Sequence, residues 1–147
     1  MNISGLQYNL ERKTLEIYIS GCNGRCEGCH NYELWDFNVG KYWSLYLDKI
    51  ESDIKSGMVD EIWVLGGDPM DQDYMELYRF IAILSNYGRR IWLWTRHPLE
   101  SIPVDLRKLF AYVKTGEYRK DLPGYKDEET GVELASNNQK IHRIWKN

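Results

Sequence analysis

Outside one eight-residue window, Cys22 to Cys29, this 147-residue chain contains no cysteine. An odd number of thiols crowded into one loop cannot build a disulfide framework, and points instead to metal or redox chemistry in a reducing compartment. Basic residues are not in excess either: 19 Lys and Arg against 22 Asp and Glu leave a formal charge of -3 and a pI near 5.6. Such a chain offers no broad positive field to a phosphate backbone, which argues against a nucleic-acid partner. Long hydrophobic runs are missing too. No stretch approaches the roughly 18 unbroken apolar residues of a membrane helix, and MNISGLQYNLERKTL lacks the apolar core of a secretion signal. The expectation is a cytoplasmic protein with no membrane partner. Neither internal repeats nor low-complexity segments divide residues 1–147, a length suited to a single domain with one core.

The apolar residues that are present fall into two periods. TLEIYIS alternates Leu15, Ile17 and Ile19 with more polar neighbours, the period of a strand, and stops at Gly21. From Lys41 onward, Trp43, Leu47, Ile50 and Ile54 recur at helical spacing, with Gly57 placed as a C-terminal cap. EIWVL is a second strand, ending at Gly66-Gly67. Asp73 and Glu76 then have the spacing of a capping box, ahead of a helix carrying Tyr74, Leu77, Tyr78, Ile81 and Leu84 on one face and stopping near Gly88. RIWLWT is a third strand, Pro103 to Leu109 a short helix, FAYVKT a fourth strand, and Ile141 to Trp145 a closing strand. Tyr118 to Gln139 shows no sustained period and reads as a long loop, a feature that in compact domains is usually functional or disordered. The alternation of strand and helix favours an α/β fold with a mainly parallel sheet and right-handed crossovers. A complete eight-stranded barrel takes about 250 residues, so the expectation is an open, partial TIM-type β/α barrel.

In parallel α/β sheets the chemistry lies beyond the carboxyl ends of the strands. Those ends carry Ser20-Gly21 and the cysteine loop, residues 20–37, then Gly66-Gly67-Asp68, Thr95-Arg96-His97, and Lys114-Thr115-Gly116. Taken singly, each is more ordinary as a turn or a solvated strand end; their convergence on one face is what singles them out. Thiolate sulfur suits zinc or an iron-sulfur centre. Zinc would need a fourth ligand, for which His30 is at hand, although adjacent Cys29 and His30 are awkward around one tetrahedral ion. A cubane cluster held by three cysteines instead keeps one iron open to a substrate or cofactor.

The spacing C-x3-C-x2-C after a first strand, with GGDP at Gly66 to Pro69 after a second, resembles the signature of radical S-adenosylmethionine enzymes. The blocks GCNGRCEGCHN, WDF, GGDP, WLWT, VKTGEYRKDL and NNQKI are similar, in order, to those of the anaerobic ribonucleoside-triphosphate reductase activating proteins, which activate a glycyl-radical enzyme. The resemblance runs from Ile19 to Ile141, and departs from the family where His30 replaces a frequent Tyr and where a Gly-Pro-Gly lead-in is absent. It implies a minimal radical S-adenosylmethionine fold in which Cys22, Cys26 and Cys29 hold a 4Fe-4S cluster whose fourth iron binds S-adenosylmethionine. It further implies that Gly66, Gly67 and Asp68 serve the methionine ammonium and Lys114 its carboxylate. Gly28 and His30 would lie against the adenine, and Thr95 near the ribose. One electron entering the sulfonium then releases methionine and a 5′-deoxyadenosyl radical, which takes a hydrogen from a glycine of the reductase, so no acid–base pair is required. The implied partners are the large subunit of an anaerobic, class III ribonucleotide reductase and a flavodoxin- or ferredoxin-type reductant.

Two other readings stand beside this one: an activase of a different glycyl-radical enzyme, of the formate-lyase type, and a zinc or electron-transfer module without catalysis. A chain this short leaves little to close over a small substrate, which favours a protein substrate. Trp43, Trp63, Trp92 and Trp94 read as core. Trp35, in WDF just past the cysteines, is placed to shield the site or to meet a partner, with plain packing an equal alternative. For Asn138 and Gln139 the resemblance implies only matching residues in the last block, with loop hydrogen bonding their ordinary role.

Overall fold

The computed structural model describes residues 1–145. Strands β1 (Asn2–Asn9) and β2 (Thr14–Ile19) form an antiparallel hairpin, with β3 (Lys41–Tyr42) on its outer edge. Helix α1 (Leu47–Lys55) leads to β4 (Glu61–Gly66), α2 (Tyr74–Ser85) to β5 (Arg90–Trp94), and the single-turn α3 (Val104–Arg107) to β6 (Tyr112–Thr115). A separate pair, β7 (Tyr125–Lys126) and β8 (Glu133–Leu134), precedes the last strand, β9 (Lys140–Arg143). The main sheet has the order β3-β1-β2-β4-β5-β6-β9 and does not close. Its four central strands are parallel, while β1, β3 and β9 join at the flanks through antiparallel pairings. The result is a mixed α/β architecture with an open sheet, less uniformly parallel than the sequence suggests. Among the described residues no helix is long and apolar enough to cross a membrane.

Register explains the two faces. Ile17, Val64, Leu93 and Val113 are cross-strand neighbours in one row, and all are fully buried. They pack under the helices in a core with Ile50, Ile54, Leu77, Phe80, Ile81, Leu84 and Leu106. One position earlier, Glu16, Trp63, Trp92 and Tyr112 form the next row, and because strand side chains alternate they point to the opposite face. There Trp63 and Trp92 are buried with Val132 and Leu134, 5.3 Å between indole centroids.

Several expectations change in detail. Asn2–Asn9 is a strand that hydropathy missed, because it alternates Ile3 with polar or half-exposed residues and contains Gly5. The 118–139 segment is not structureless: its β7–β8 pair lays Val132 and Leu134 on the tryptophan face, since short β pairs held by tertiary contact leave little period in sequence. Lys41 and Tyr42 are strand, and a 3-10 turn at Trp43–Tyr46 precedes α1. The capping box is half realised: the Asp73 carboxylate accepts from Glu76 N at 3.0 Å, whereas Glu76 turns away to the Met1 amine at 2.8 Å. Tyr74 is exposed, and Phe80 fills the buried face of α2 instead.

Candidate cofactor site

The cysteine loop is built on glycine contacts at the ends of β2 and β4. Gly67 N donates to Ile19 O and Asp68 N to Gly21 O, both at 2.8 Å, so the loop after β4 is stitched to the start of the cysteine loop. Gly21 N and Cys22 N in turn donate to Leu34 O and Trp35 O, closing the loop's far end. The Gln72 amide bridges the carbonyls of Ser20, Gly21 and Asp68 at 3.0 to 3.2 Å. A Cβ on Gly67 would lie 2.5 Å from Gly21 O and 2.7 Å from Leu34 O. Glycine is therefore required here for backbone against backbone, and not only for ligand access.

A cavity of about 310 Å³ opens over these strand ends. Its wall includes Cys22, Cys26, Cys29, His30, Gly66, Gly67, Asp68, Thr95 and Lys114, so nine of the ten sequence candidates meet in one place. The tenth, Gly28, has a positive φ of 73° and is not on that wall, and a Cβ added there would meet Lys120 and Tyr118. The His30 ring lies 5.0 Å from that of Tyr118, which lines the cavity from the 118–139 segment. Trp35 is also on the wall, with the Arg25 guanidinium 4.9 Å from its ring centroid. Trp94, read as core from sequence, lines the cavity as well, and its buried Nε1 has no partner among the described residues. Strand alternation puts it on the tryptophan face, half-buried with its ring 4.9 Å from that of Trp63.

Beneath the loop is a polar network that sequence did not reveal. Asp68, 1% exposed, accepts from Met70 N at 3.0 Å, Thr95 Oγ1 at 2.7 Å and Arg96 N at 3.0 Å. Burial raises its pKa, only partly offset by these donors. Asp71 receives Asn23 N at 2.8 Å, His97 Nε2 at 2.7 Å and both its oxygens face Arg96 Nη2. Burial pushes the Asp71 carboxyl upward, but the bonds from Asn23, His97 and Arg96 outweigh it and leave its pKa below the usual value. The Arg96-His97 pair was visible as a strand end, but nothing in the spacing of Asp71 or Gln72 marked them.

Lys114, 8% exposed, donates from Nζ to Gly116 O at 2.8 Å. Desolvation lowers its pKa to about 8, against the pull of Asp68 and Cys26. Gln139 is 4% exposed and accepts from Ala135 N and Ser136 N while donating to Gly116 O, and Asn138 donates to Glu117 O at 2.8 Å. Both residues therefore pin the 118–139 segment over the end of β6, the loop role open to them from sequence.

All three cysteines are free. A tetrahedral zinc with sulfur at about 2.3 Å holds its sulfurs about 3.8 Å apart. Among the described residues the only trio of Cys, His or acidic side chains with ligand atoms mutually within 4.8 Å is Cys22, Asp68 and Asp71, so the three thiols, with or without His30, are not gathered tightly enough for one ion. Asp68 and Asp71 are already committed to Thr95, Arg96, His97 and Asn23. Three thiols spread along one wall of a cavity suit a polynuclear centre, in which each sulfur meets a different iron.

Over residues 11–142 the chain matches the family described as the 4Fe-4S single cluster domain, and it belongs to that family. Among curated proteins it is 27% identical over 136 residues to the anaerobic ribonucleoside-triphosphate reductase-activating protein of Enterobacteria phage T4, covering 89% of this chain and 82% of that one. It is 29% identical over 140 residues to the protein of the same name from Vibrio cholerae serotype O1, covering 87% and 86%. A third, from Haemophilus influenzae, is 27% identical over 142 residues, covering 92% and 91%. The likeness read from the cysteine, GGDP and NNQKI blocks is borne out.

Proposed function

We propose that this protein is a radical S-adenosylmethionine activase that installs a glycyl radical on an anaerobic, class III ribonucleotide reductase. In this reading the open sheet is part of a β/α barrel, the protein acts in the cytoplasm, and a flavodoxin- or ferredoxin-type protein supplies the electron. The observation that carries it is the convergence of three free cysteines and four strand ends on one cavity. The names of the relatives support the choice of partner.

Cys22, Cys26 and Cys29 would hold the 4Fe-4S cluster, Cys22 from the buried base of the loop and the other two from its half-buried turn. When bound, the cluster and S-adenosylmethionine supply one-electron cleavage of the sulfonium and a carbon radical that abstracts hydrogen from the partner's glycine. The chain's own residues bind and orient. The N–H of Gly67 is spent on Ile19, while its carbonyl accepts no hydrogen bond among the described residues and is the group left for the ligand's ammonium. Asp68, already receiving three donors, acts on that ammonium through its charge and by fixing Thr95. Lys114 faces the carboxylate, and Trp35 and Trp94 exclude water from the wall.

Lys114→Ala is expected to weaken S-adenosylmethionine binding by about 1.5–3 kcal/mol, roughly ten- to 150-fold, the worth of a charge-assisted hydrogen bond. Iron content should be unchanged. Because burial sets the Lys114 pKa to about 8, its ammonium is present below that pH and lost above it. A facing carboxylate favours the protonated form, so the affinity advantage of the wild type over Lys114→Ala should be full below pH 7 and shrink as pH rises past about 8. A pH-independent difference in calorimetric titrations would remove Lys114 from the carboxylate.

The reading as a whole is tested by mixing the anaerobically reconstituted protein with a class III reductase, a low-potential reductant and S-adenosylmethionine. The expected result is an electron paramagnetic resonance doublet on the reductase, erased by replacing its radical glycine with alanine. Faster cofactor consumption with a formate-lyase-type partner would reassign the partner. A colourless, iron-free protein would overturn the cluster itself.

A further inference from the structure

We propose that Arg96 is a positioning residue for the electron-accepting centre: clamped between two carboxylates, it holds a fixed positive charge and an unspent N–H against Cys22, and so makes that centre easier to reduce. The inference rests on the three cysteines holding the cluster. Several contacts fix the guanidinium. Arg96 directly follows Thr95 at the end of β5, where its backbone N donates to Asp68 Oδ2 at 3.0 Å. The side chain then turns back, with Nη2 at 3.1 and 3.3 Å from the two oxygens of Asp71. Asp71 is itself held from the cysteine loop, by Asn23 N, and from β5's extension, by His97.

The Arg96 Nε edge points elsewhere. It is 3.7 Å from Asp68 Oδ2, too far for a hydrogen bond, and it is buried without a partner among the described residues. The cysteine loop lies directly over this edge, since a Cβ on Gly24 would fall 2.7 Å from Arg96 Nε. Cys22, whose Sγ already accepts from Gly24 N at 3.3 Å, lines the same cavity as Arg96 and has its Sγ within 4.8 Å of carboxylate oxygens of Asp68 and Asp71, the two residues that clamp Arg96. A buried N–H left unpaired is costly, so a donor held in this way indicates an acceptor that the folded chain alone does not supply.

The effect follows from charge. One-electron reduction adds a negative charge to the centre, and a fixed cation with a hydrogen bond to its sulfur lowers the energy of that state. Asp68 and Asp71 oppose it, and the Arg96 guanidinium offsets both, at 3.7 and 3.1 Å. Arg rather than Lys is suited to the place because its planar fork serves Asp71 on one edge and the sulfur on the other.

The test uses the full chain, reconstituted anaerobically with iron and sulfide and titrated with dithionite, without S-adenosylmethionine or partner. The signal of the reduced cluster is followed by electron paramagnetic resonance against potential. Arg96→Gln is expected to keep its iron and shift the midpoint to more negative potential, leaving a smaller reduced fraction at a given dithionite ratio. Arg96→Lys, retaining charge but not the fork, should fall between it and the wild type. If Arg96→Gln cannot hold iron, the Arg96→Lys midpoint decides alone: a negative shift supports the proposal and an unchanged midpoint overturns it. A wild-type midpoint in Arg96→Gln shows that Arg96 only ties Asp71 to the loop. A wild-type protein with no cluster signal would overturn this inference together with the cluster reading, an outcome distinct from an unchanged midpoint.

Discussion

Cys26→Ala is expected to emerge from anaerobic reconstitution without a four-iron cluster and with no measurable 5′-deoxyadenosine formation. The chain has no fourth cysteine to replace the lost ligand. His30, the nearest alternative in sequence, lines the cavity but is exposed, with its ring 5.0 Å from that of Tyr118. Asp68 and Asp71 are bound to other partners, so neither of these buried carboxylates can move in cheaply. Cys26 is only half-buried, and its loss should leave the fold within about 1 kcal/mol of wild type. Iron, sulfide and cofactor cleavage should therefore fall together while the unfolding midpoint stays. A full iron complement in Cys26→Ala would show that the centre is not held by this trio.

The second large effect is structural. Gly66 has φ of +122°, and a Cβ there would lie 2.5 Å from Ile19 N, with the Ile19 oxygen closer still. Backbone strain of about 1–3 kcal/mol adds to an overpacking cost of similar size, so Gly66→Ala should lose about 3 kcal/mol or more in urea unfolding. That is a large share of the 5–15 kcal/mol that typically separates folded from unfolded states. The clash forces β4 away from β2, and with it the bonds from Gly67 to Ile19 and Asp68 to Gly21 on which the cysteine loop rests. Gly5→Ala is the control: its Cβ would meet nothing within 4 Å and its φ is not positive, so it should stay near wild type. If the two variants unfold alike, the packing account of the GGDP segment is wrong.

Nine of the ten candidate residues were placed in one cavity because strand ends are legible: β-branched, alternating runs that stop at glycine or a polar residue mark where a parallel strand delivers its loop. The same logic failed for Asn2–Asn9, whose partial exposure weakens alternation, and for the short β7–β8 pair, which owes its position to Trp63 and Trp92. For Trp94 it was half right, since the indole packs against the Trp63–Trp92 cluster and also lines the cavity. Periodicity puts Trp63, Trp92 and Trp94 on one face, but which of them is covered depends on where Val132 and Leu134 land, over 30 residues further along the chain.

The amino-acid sequence by itself determined which cysteines are candidates, the strand–helix alternation and the family, because thiol spacing and hydrophobic period are local properties of consecutive residues. Only the tertiary structure decided what those residues do to one another. Asp68 was legible as part of GGDP, yet that it holds Thr95 and Arg96 follows from the parallel register of β4 on β5, which brings residues 27 and 28 positions apart into hydrogen-bonding distance. Asp71 and Arg96 carry no motif at all. Their pairing beneath the cysteine loop depends on three chain segments meeting, and the physical reason is general: charge compensation inside a protein acts through space over a few ångströms, whereas a sequence records only order along the chain.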